Sequence, residues 1–457
     1  MTAIATDGPV QRLKRSLTLR DLILYGIVVI QPVAPMSSFG VLTERGHGHA
    51  VTAILIAMVA MLLTAISYGR MARAYPSAGS AFTYVGQEIN PALGYVTGWS
   101  MVMDYMLNPM ICIIWLSGAA NDYLPAIPKF VFALFFFMLF TVLNLRGIRT
   151  SARVNTTLAL GMGVVIVIFF FAALSYIGGQ PHDSGFFTRP FYDPQRFSLG
   201  VVLGGTSLAV LTYIGFDGIS TLSEEAENPR RNILLATVLT CLVIGLLSAA
   251  QVYVAQLVWP TPEPFPNPDT AFLHVGQRAA GHWMYLLIGL TLLVANVGSG
   301  MGAQLGAARL LYGMGRSNAL PPKFFAAVSP KTQIPAKNVI FVGVVALIGS
   351  FPIGKDRSLL DFGTGAELLN FGALIAFMGV NAAAFVRYFL REKEKKLINC
   401  WPPLVGFAIC FLLWINLTTK AKIVGVIWMV VGILFGAWKT KGFKGNLISF
   451  ELPPEDV

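Results

Sequence analysis

The apolar residues of this chain come in unbroken blocks, not at helical or strand spacing. Segments 53–67, 130–143, 158–174, 234–250 and 423–438 are of this kind. Most lie within stretches of about 20 residues, the length a helix needs to cross hydrocarbon. A membrane β-barrel would instead show alternating segments of about 10 residues, and the sequence has none. Charge agrees with this. Of 457 residues, 55% are hydrophobic and only 12% charged, against about 25% charged in soluble domains. That is too little charge to cover a water-facing surface of this size.

Apolar blocks between polar breaks predict about twelve spans: 22–43, 51–72, 83–118, 128–145, 153–178, 199–222, 233–259, 283–313, 337–353, 359–388, 401–418 and 422–438. The third and eighth exceed a straight crossing, so they are expected to tilt or to extend past the bilayer. The basic residues set the orientation. Both tails and the even-numbered connections hold 24 of the 33 lysines and arginines, and the other side holds nine. By the positive-inside rule both termini are then cytoplasmic. This placement also explains the net charge of +11 without nucleic acid. The expected organisation is a cytoplasmic tail at 1–20, one transmembrane domain at 21–440 and a second cytoplasmic tail at 441–457. No segment at the N-terminus reads as a secretory signal peptide.

Two spans are interrupted. The first reads Gln31-Pro32-Val33-Ala34-Pro35-Met36-Ser37, where two prolines remove backbone donors and clash with preceding carbonyls. The sixth reads Tyr213-Ile214-Gly215-Phe216-Asp217-Gly218. The breaks fall in the first spans of two five-span sets, at 21–178 and 199–389, with two more helices at 401–438. Paired interrupted helices in corresponding positions point to an inverted-repeat transporter with its site at the midplane.

Charged side chains inside spans are costly and usually functional. Asp217 would serve in proton coupling, cation attraction or gating, against the plainer role of bonding the amides of the broken helix. Asp104 would hold an ammonium, with Tyr105 beside it adding a cation–π contact, against the plainer role of an acid satisfied by a neighbouring helix. Asn108 and Asn296 are further polar candidates. Glu224, Glu225 and Glu227, near Arg230 and Arg231, read as an inner gate or an interfacial salt-bridge cluster. The four cysteines lack metal-ligand spacing and read as buried free thiols. All five histidines read as solvated on or near external loops. No metal site is expected.

Three stretches together resemble the amino acid–polyamine–organocation permeases. The first runs from Ser67-Tyr68-Gly69-Arg70 through Tyr75-Pro76-Ser77-Ala78-Gly79-Ser80 to Tyr84. The second joins Tyr213-Ile214-Gly215-Phe216-Asp217 to Glu227-Asn228-Pro229-Arg230. The third is Ala308-Arg309-Leu310-Leu311-Tyr312-Gly313 through Leu320-Pro321-Pro322. The resemblance implies an all-α, LeuT-like fold of five plus five inverted-repeat helices and two extra ones. Substrate would sit between broken helices 1 and 6. The Asp104-Tyr105 pair is similar to the putrescine-importer branch. Many family members bind a substrate carboxylate on a Gly-Ser-Gly-like stretch in helix 1. Here Pro35 has no N–H to offer, and no acid lies near Ser37. Gly161 stands where some relatives carry a lysine in helix 5. Ser299, with carbonyls of helix 1, would make a sodium-type site.

The expectation is an alternating-access carrier of an amino acid or small amine in the cytoplasmic membrane, a symporter or antiporter. Its alternative is a putrescine-type diamine importer. No cofactor is expected, with H+ or Na+ as coupling ion, and the protein would be a monomer or homodimer. A membrane enzyme would need a nucleophile–base or metal constellation. No intramembrane histidine and no Gly-x-Ser-x-Gly occurs. A channel would want a selectivity ring, and a primary pump a Walker-type phosphate loop.

Overall fold

The computed structural model describes residues 17–75, 80–146, 152–223, 226–316, 318–329, 334–351, 360–392, 395–440 and 442. Most of these are helical, with no strand among them. The first span is two helices, α1 (Leu19–Ile30) and α2 (Ala34–Arg45), bent by 44°. The capping box of Thr18 and Asp21 starts α1. Then come α3 (Ala50–Ala74), α4 (Ser80–Glu88), α5 (Pro91–Tyr123), α6 (Lys129–Leu145) and α7 (Ala152–Gly178). The sixth span opens as α8 (Leu199–Ala209) and continues as two 3₁₀ turns, Val210–Tyr213 and Phe216–Leu222. The rest are α9 (Pro229–Val258), α10 (Ala271–Ala280), α11 (His282–Arg316), α12 (Pro322–Phe325), α13 (Ala336–Ser350), α14 (Phe362–Phe385), α15 (Leu397–Ile415) and α16 (Thr419–Lys439). A π-helical turn, Val386–Arg391, extends α14.

Among the described residues nine helices are long and apolar enough to cross a membrane, and the bent α1–α2 pair makes a tenth. The remaining two expected spans, α6 and α13, are apolar helices of 17 and 15 residues. The chain is thus an all-α polytopic membrane protein. The predicted third span, 83–118, is divided. Chain direction changes at Ile89–Asn90, where Asn90 Oδ1 accepts from the Ala92 amide at 2.7 Å and Pro91 occupies the first helical position. Proline is pre-set for that position, because its missing N–H would be unpaired there anyway.

Polar side chains fasten the helices in their apolar setting. Gln304 on α11 donates to Thr141 and Val339 at 3.0 Å each and accepts from Asn144, tying α6, α11 and α13. Asn381 on α14 bonds both Ser67 and Thr64 of α3. Trp99 and Trp428 stack at 4.8 Å and donate to each other's carbonyls, which fastens α16 to α5. Gly432 lies so close to this stack that a Cβ there would come within 2.2 Å of the Trp99 ring.

One expectation about histidine fails. His49 is fully buried. Its Nδ1 lies 3.0 Å from the Gly46 carbonyl and its Nε2 accepts from the Asp193 amide at 3.1 Å. With both ring nitrogens bonded, burial leaves no polar group unpaired. Of the cysteines, Cys112, Cys241 and Cys410 are buried as expected, while Cys400 is partly exposed.

Candidate functional site

The two breaks are built differently. In the first, Gln31 turns the chain with a left-handed φ of 66° and its amide closes α1 onto Ile27. Pro32 follows, and its carbonyl accepts from Gln251 Nε2 at 2.9 Å. The Ala34 amide returns to Gln31 and the Met36 amide to Val33. Pro35 falls in the first turn of α2, where a missing donor costs little. Ser37 Oγ donates to the Ala34 carbonyl at 2.9 Å. Gln31, Val33, Met36 and Ser37 are buried, and Ala34 is partly exposed. The amides of Ala34 and Met36 are therefore spent inside the chain.

In the second break, Ile214 is extended and Gly215 adopts φ +116°, a conformation that suits glycine alone. Short 3₁₀ runs inside a helix mark hinges. Tyr213 anchors the break by donating to the Ile54 carbonyl at 2.9 Å. The N–H groups of Gly215, Asp217 and Gly218 lie near the Asp217 carboxylate, while the Gly218 amide itself donates to the Gly215 carbonyl at 3.1 Å. Tyr105 of α5 donates to Asp217 Oδ2 at 3.0 Å. Asp217, 2% exposed, thus sits at the break beside its amides and meets Tyr105 across 112 residues of sequence.

Asp104 is 3% exposed and one residue from Tyr105. It feels the negative charge of Asp217, yet has no hydrogen-bond partner among the described residues. A buried carboxylate without a partner is costly. The two acids therefore differ: one accepts from Tyr105 and the other is free to accept.

Aromatic rings complete the surroundings. Tyr68 on α3 contacts Tyr84 of α4, Phe216 and Phe377, with ring centroids 6.2, 5.5 and 5.9 Å away. The Tyr68 hydroxyl is buried without a partner among the described residues. Tyr25 of α1 stands near Gly218. Sequence reasoning used Tyr68 and Tyr84 only as motif letters and passed over Tyr25, Phe377 and Ser220. Aromatic residues are ordinary core material, so no signal in the sequence separates these from the rest.

The other candidates lie apart. Asn108 accepts from the Cys112 thiol at 3.5 Å, and Ser299 lies near the same thiol. Asn296 donates back to Leu292 within its own helix. Glu224 and Glu225 lie outside the described residues. Glu227 is exposed and makes no ion pair among the described residues. Its amide donates to the Leu17 carbonyl at 2.8 Å, which joins the start of the chain to the end of the sixth span. No group of acidic, histidine or cysteine side chains among the described residues has the makings of a metal site.

Comparison with known proteins agrees with this architecture. A family model described as "Amino acid permease" matches residues 23–439. The chain is 34% identical over 445 residues to the low-affinity putrescine importer PlaP of Escherichia coli (strain K12), covering 96% of each chain. It is 27% identical to the branched-chain amino acid permease BcaP of Bacillus subtilis (strain 168), with 94% of each covered. It is 25% identical to a methylthioribose transporter of the same organism, with 95% of each covered. The chain belongs to the amino acid permease family, as a transporter for amino acids or polyamines and not an enzyme.

Proposed function

We propose that the protein is an alternating-access carrier of small amines, diamines of the putrescine type foremost. One ammonium would be received by Asp104 opposite the anchored Asp217. The observation that carries this reading is the unpartnered Asp104 carboxylate, buried beside a second acid. A cation placed there supplies the missing partner and offsets the repulsion between the acids. The rings of Tyr105, Tyr68 and Phe216 suit the methylene chain and add cation–π attraction. The likeness to PlaP supports the same substrate class.

The likeness to BcaP keeps an amino acid as the second reading. The protein would act in the cytoplasmic membrane as a monomer or homodimer, with both termini cytoplasmic. The LeuT-like five-plus-five repeat belongs to this reading, supported by the paired breaks. H+ or Na+ would drive the step. Uptake of radiolabelled putrescine into proteoliposomes, with a proton gradient or a sodium gradient imposed in turn, tests it. Uptake driven by one gradient and lost in Asp104→Asn is expected. No putrescine uptake under either gradient, with leucine uptake in its place, would move the reading to an amino acid.

A further inference from the structure

Helix α4 touches functional elements at both ends. Its first residue, Ser80, is buried and holds a left-handed φ of 48°. A non-glycine residue keeps such a backbone only where its surroundings fix it. Ser80 Oγ lies 3.0 Å from Ser220 Oγ. The Ser220 hydroxyl already donates its proton to the Asp217 carbonyl at 2.6 Å, so Ser80 is the donor to Ser220. A two-hydroxyl relay therefore runs from the start of α4 to the peptide group of Asp217.

The last residue of α4, Glu88, has a side chain with no exposure at all. Its Oε1 accepts from Tyr75 at 2.6 Å and from Arg387 Nη1 at 2.5 Å, and its Oε2 accepts from Arg391 Nη1 at 2.8 Å. Arg391 also donates to the Glu88 carbonyl at 2.9 Å. Both arginines come from the π-helical turn that ends the α14 rod, a kind of turn common at functional sites. Nine helical residues span about 13 Å. α4 is thus a short rod clamped to the end of α14 at one end and bonded to the sixth-span break at the other.

We infer that Glu88 and Ser80 are positioning residues for Asp217, with α4 as the strut that links the grip of α14 to the break. This rests on the amine reading only for its effect on affinity. Neither residue touches substrate. Loosening either end lets the Phe216–Leu222 turn shift, and the Asp217 carboxylate shifts with it.

The test uses the purified full-length protein and Glu88→Gln, Ser80→Ala and the double variant, with two readouts. Hydrogen–deuterium exchange of peptides covering 213–222 needs no ligand. Each single variant is expected to raise exchange there, and the double no further than the greater single, because both cut the same strut. Putrescine binding by calorimetry is expected to weaken about tenfold in each single variant, roughly the effect of one misaligned hydrogen bond. It should not weaken further when Glu88→Gln is added to Asp217→Asn. Unchanged exchange at 213–222 in folded Ser80→Ala overturns the strut, as do additive effects of the two ends. A Glu88→Gln protein with a lowered melting temperature but normal exchange and normal affinity makes Glu88 merely structural. Should the unaltered protein bind no putrescine, the amine reading fails, and the exchange data still decide the strut.

Discussion

Neutralising the two buried acids should move stability in opposite directions, and the difference follows from their partners. The Asp217 carboxylate accepts from the Tyr105 hydroxyl at 3.0 Å and has the N–H groups of the break close by. Asn at this position keeps one acceptor oxygen and turns an NH₂ towards donors. One donor is left facing the NH₂, at about 1–3 kcal/mol. Asp217→Asn should therefore lose on the order of 1–3 kcal/mol of stability, before any question of transport. Asp104 has no such donors and faces the charge of Asp217. Asp104→Asn removes a buried, repelled charge and should raise the melting temperature of the ligand-free protein. The same variant should lose the charge-assisted bond to an ammonium, worth about 1.5–3 kcal/mol. At 1.4 kcal/mol per tenfold, putrescine affinity should then fall roughly 10- to 150-fold. Thermal unfolding in detergent, with and without putrescine, reads both quantities, since a ligand stabilises the folded state by mass action. A lowered apo melting temperature in Asp104→Asn would refute the reasoning. So would an undiminished putrescine-induced shift.

Other parts of the structure make further expectations. Gly432→Ala sets a Cβ against the Trp99 ring; such overpacking costs about 1–3 kcal/mol, and a melting temperature equal to that of the unaltered protein would mean that α16 is not held by this contact. Glu367 is buried, accepts from the Thr418 amide at 3.0 Å and lies 3.5 Å from Arg45 Nε. Glu367→Gln should cost about 1–3 kcal/mol through the donors it leaves, seen as a lower melting temperature with putrescine affinity retained. Between α9 and α11, Arg278 of α10 bonds Glu263 and holds its carboxyl below the ordinary glutamate range. A depressed carboxylate contributes stability above its unfolded pKa and loses it as pH falls through the folded one. Exchange of peptides covering 259–281 should rise on acidification below the ordinary glutamate range, and Glu263→Gln should abolish that step; a step that persists in the variant assigns it to another group.

The breaks were legible because proline and glycine announce them. Pro32 and Pro35 cannot continue a helix, and Gly215 next to Asp217 has no place in an ordinary apolar span. Asp104 stood out because a carboxylate inside a span has few plain explanations. The division of the third span carried a signal too, in Asn90-Pro91, but the apolar residues on either side outweighed it. His49 was misjudged because its place near a loop says nothing of the Asp193 amide that approaches from 144 residues away. The same limit hid the strut. Glu88 meets Arg387 and Arg391 across about 300 positions, and Ser80 meets Ser220 across 140. A serine or glutamate at a helix end has many ordinary local uses. Only the tertiary arrangement gives these two a common target.

The occupied amides also decide which charge the site receives, and this can be measured directly. A carboxylate ligand needs free donors. In the first break the amides of Ala34 and Met36 are spent on carbonyls, and Pro35 has none. In the second, the Gly218 amide is spent on the Gly215 carbonyl, and the amides of Gly215 and Asp217 lie beside the Asp217 side chain. A substrate carboxylate would have to displace that side chain while itself approaching two acids. A diamine and its parent amino acid, putrescine and ornithine, differ only in that group. Putrescine should therefore bind the purified protein more tightly, by at least about tenfold if a single charge-assisted bond is at stake. In Asp217→Asn, where one acid is neutralised, the preference should shrink. Equal affinities in the unaltered protein would mean that other groups of the site supply donors to the carboxylate. A preference for ornithine would place Asp217 among the groups that move aside when substrate enters.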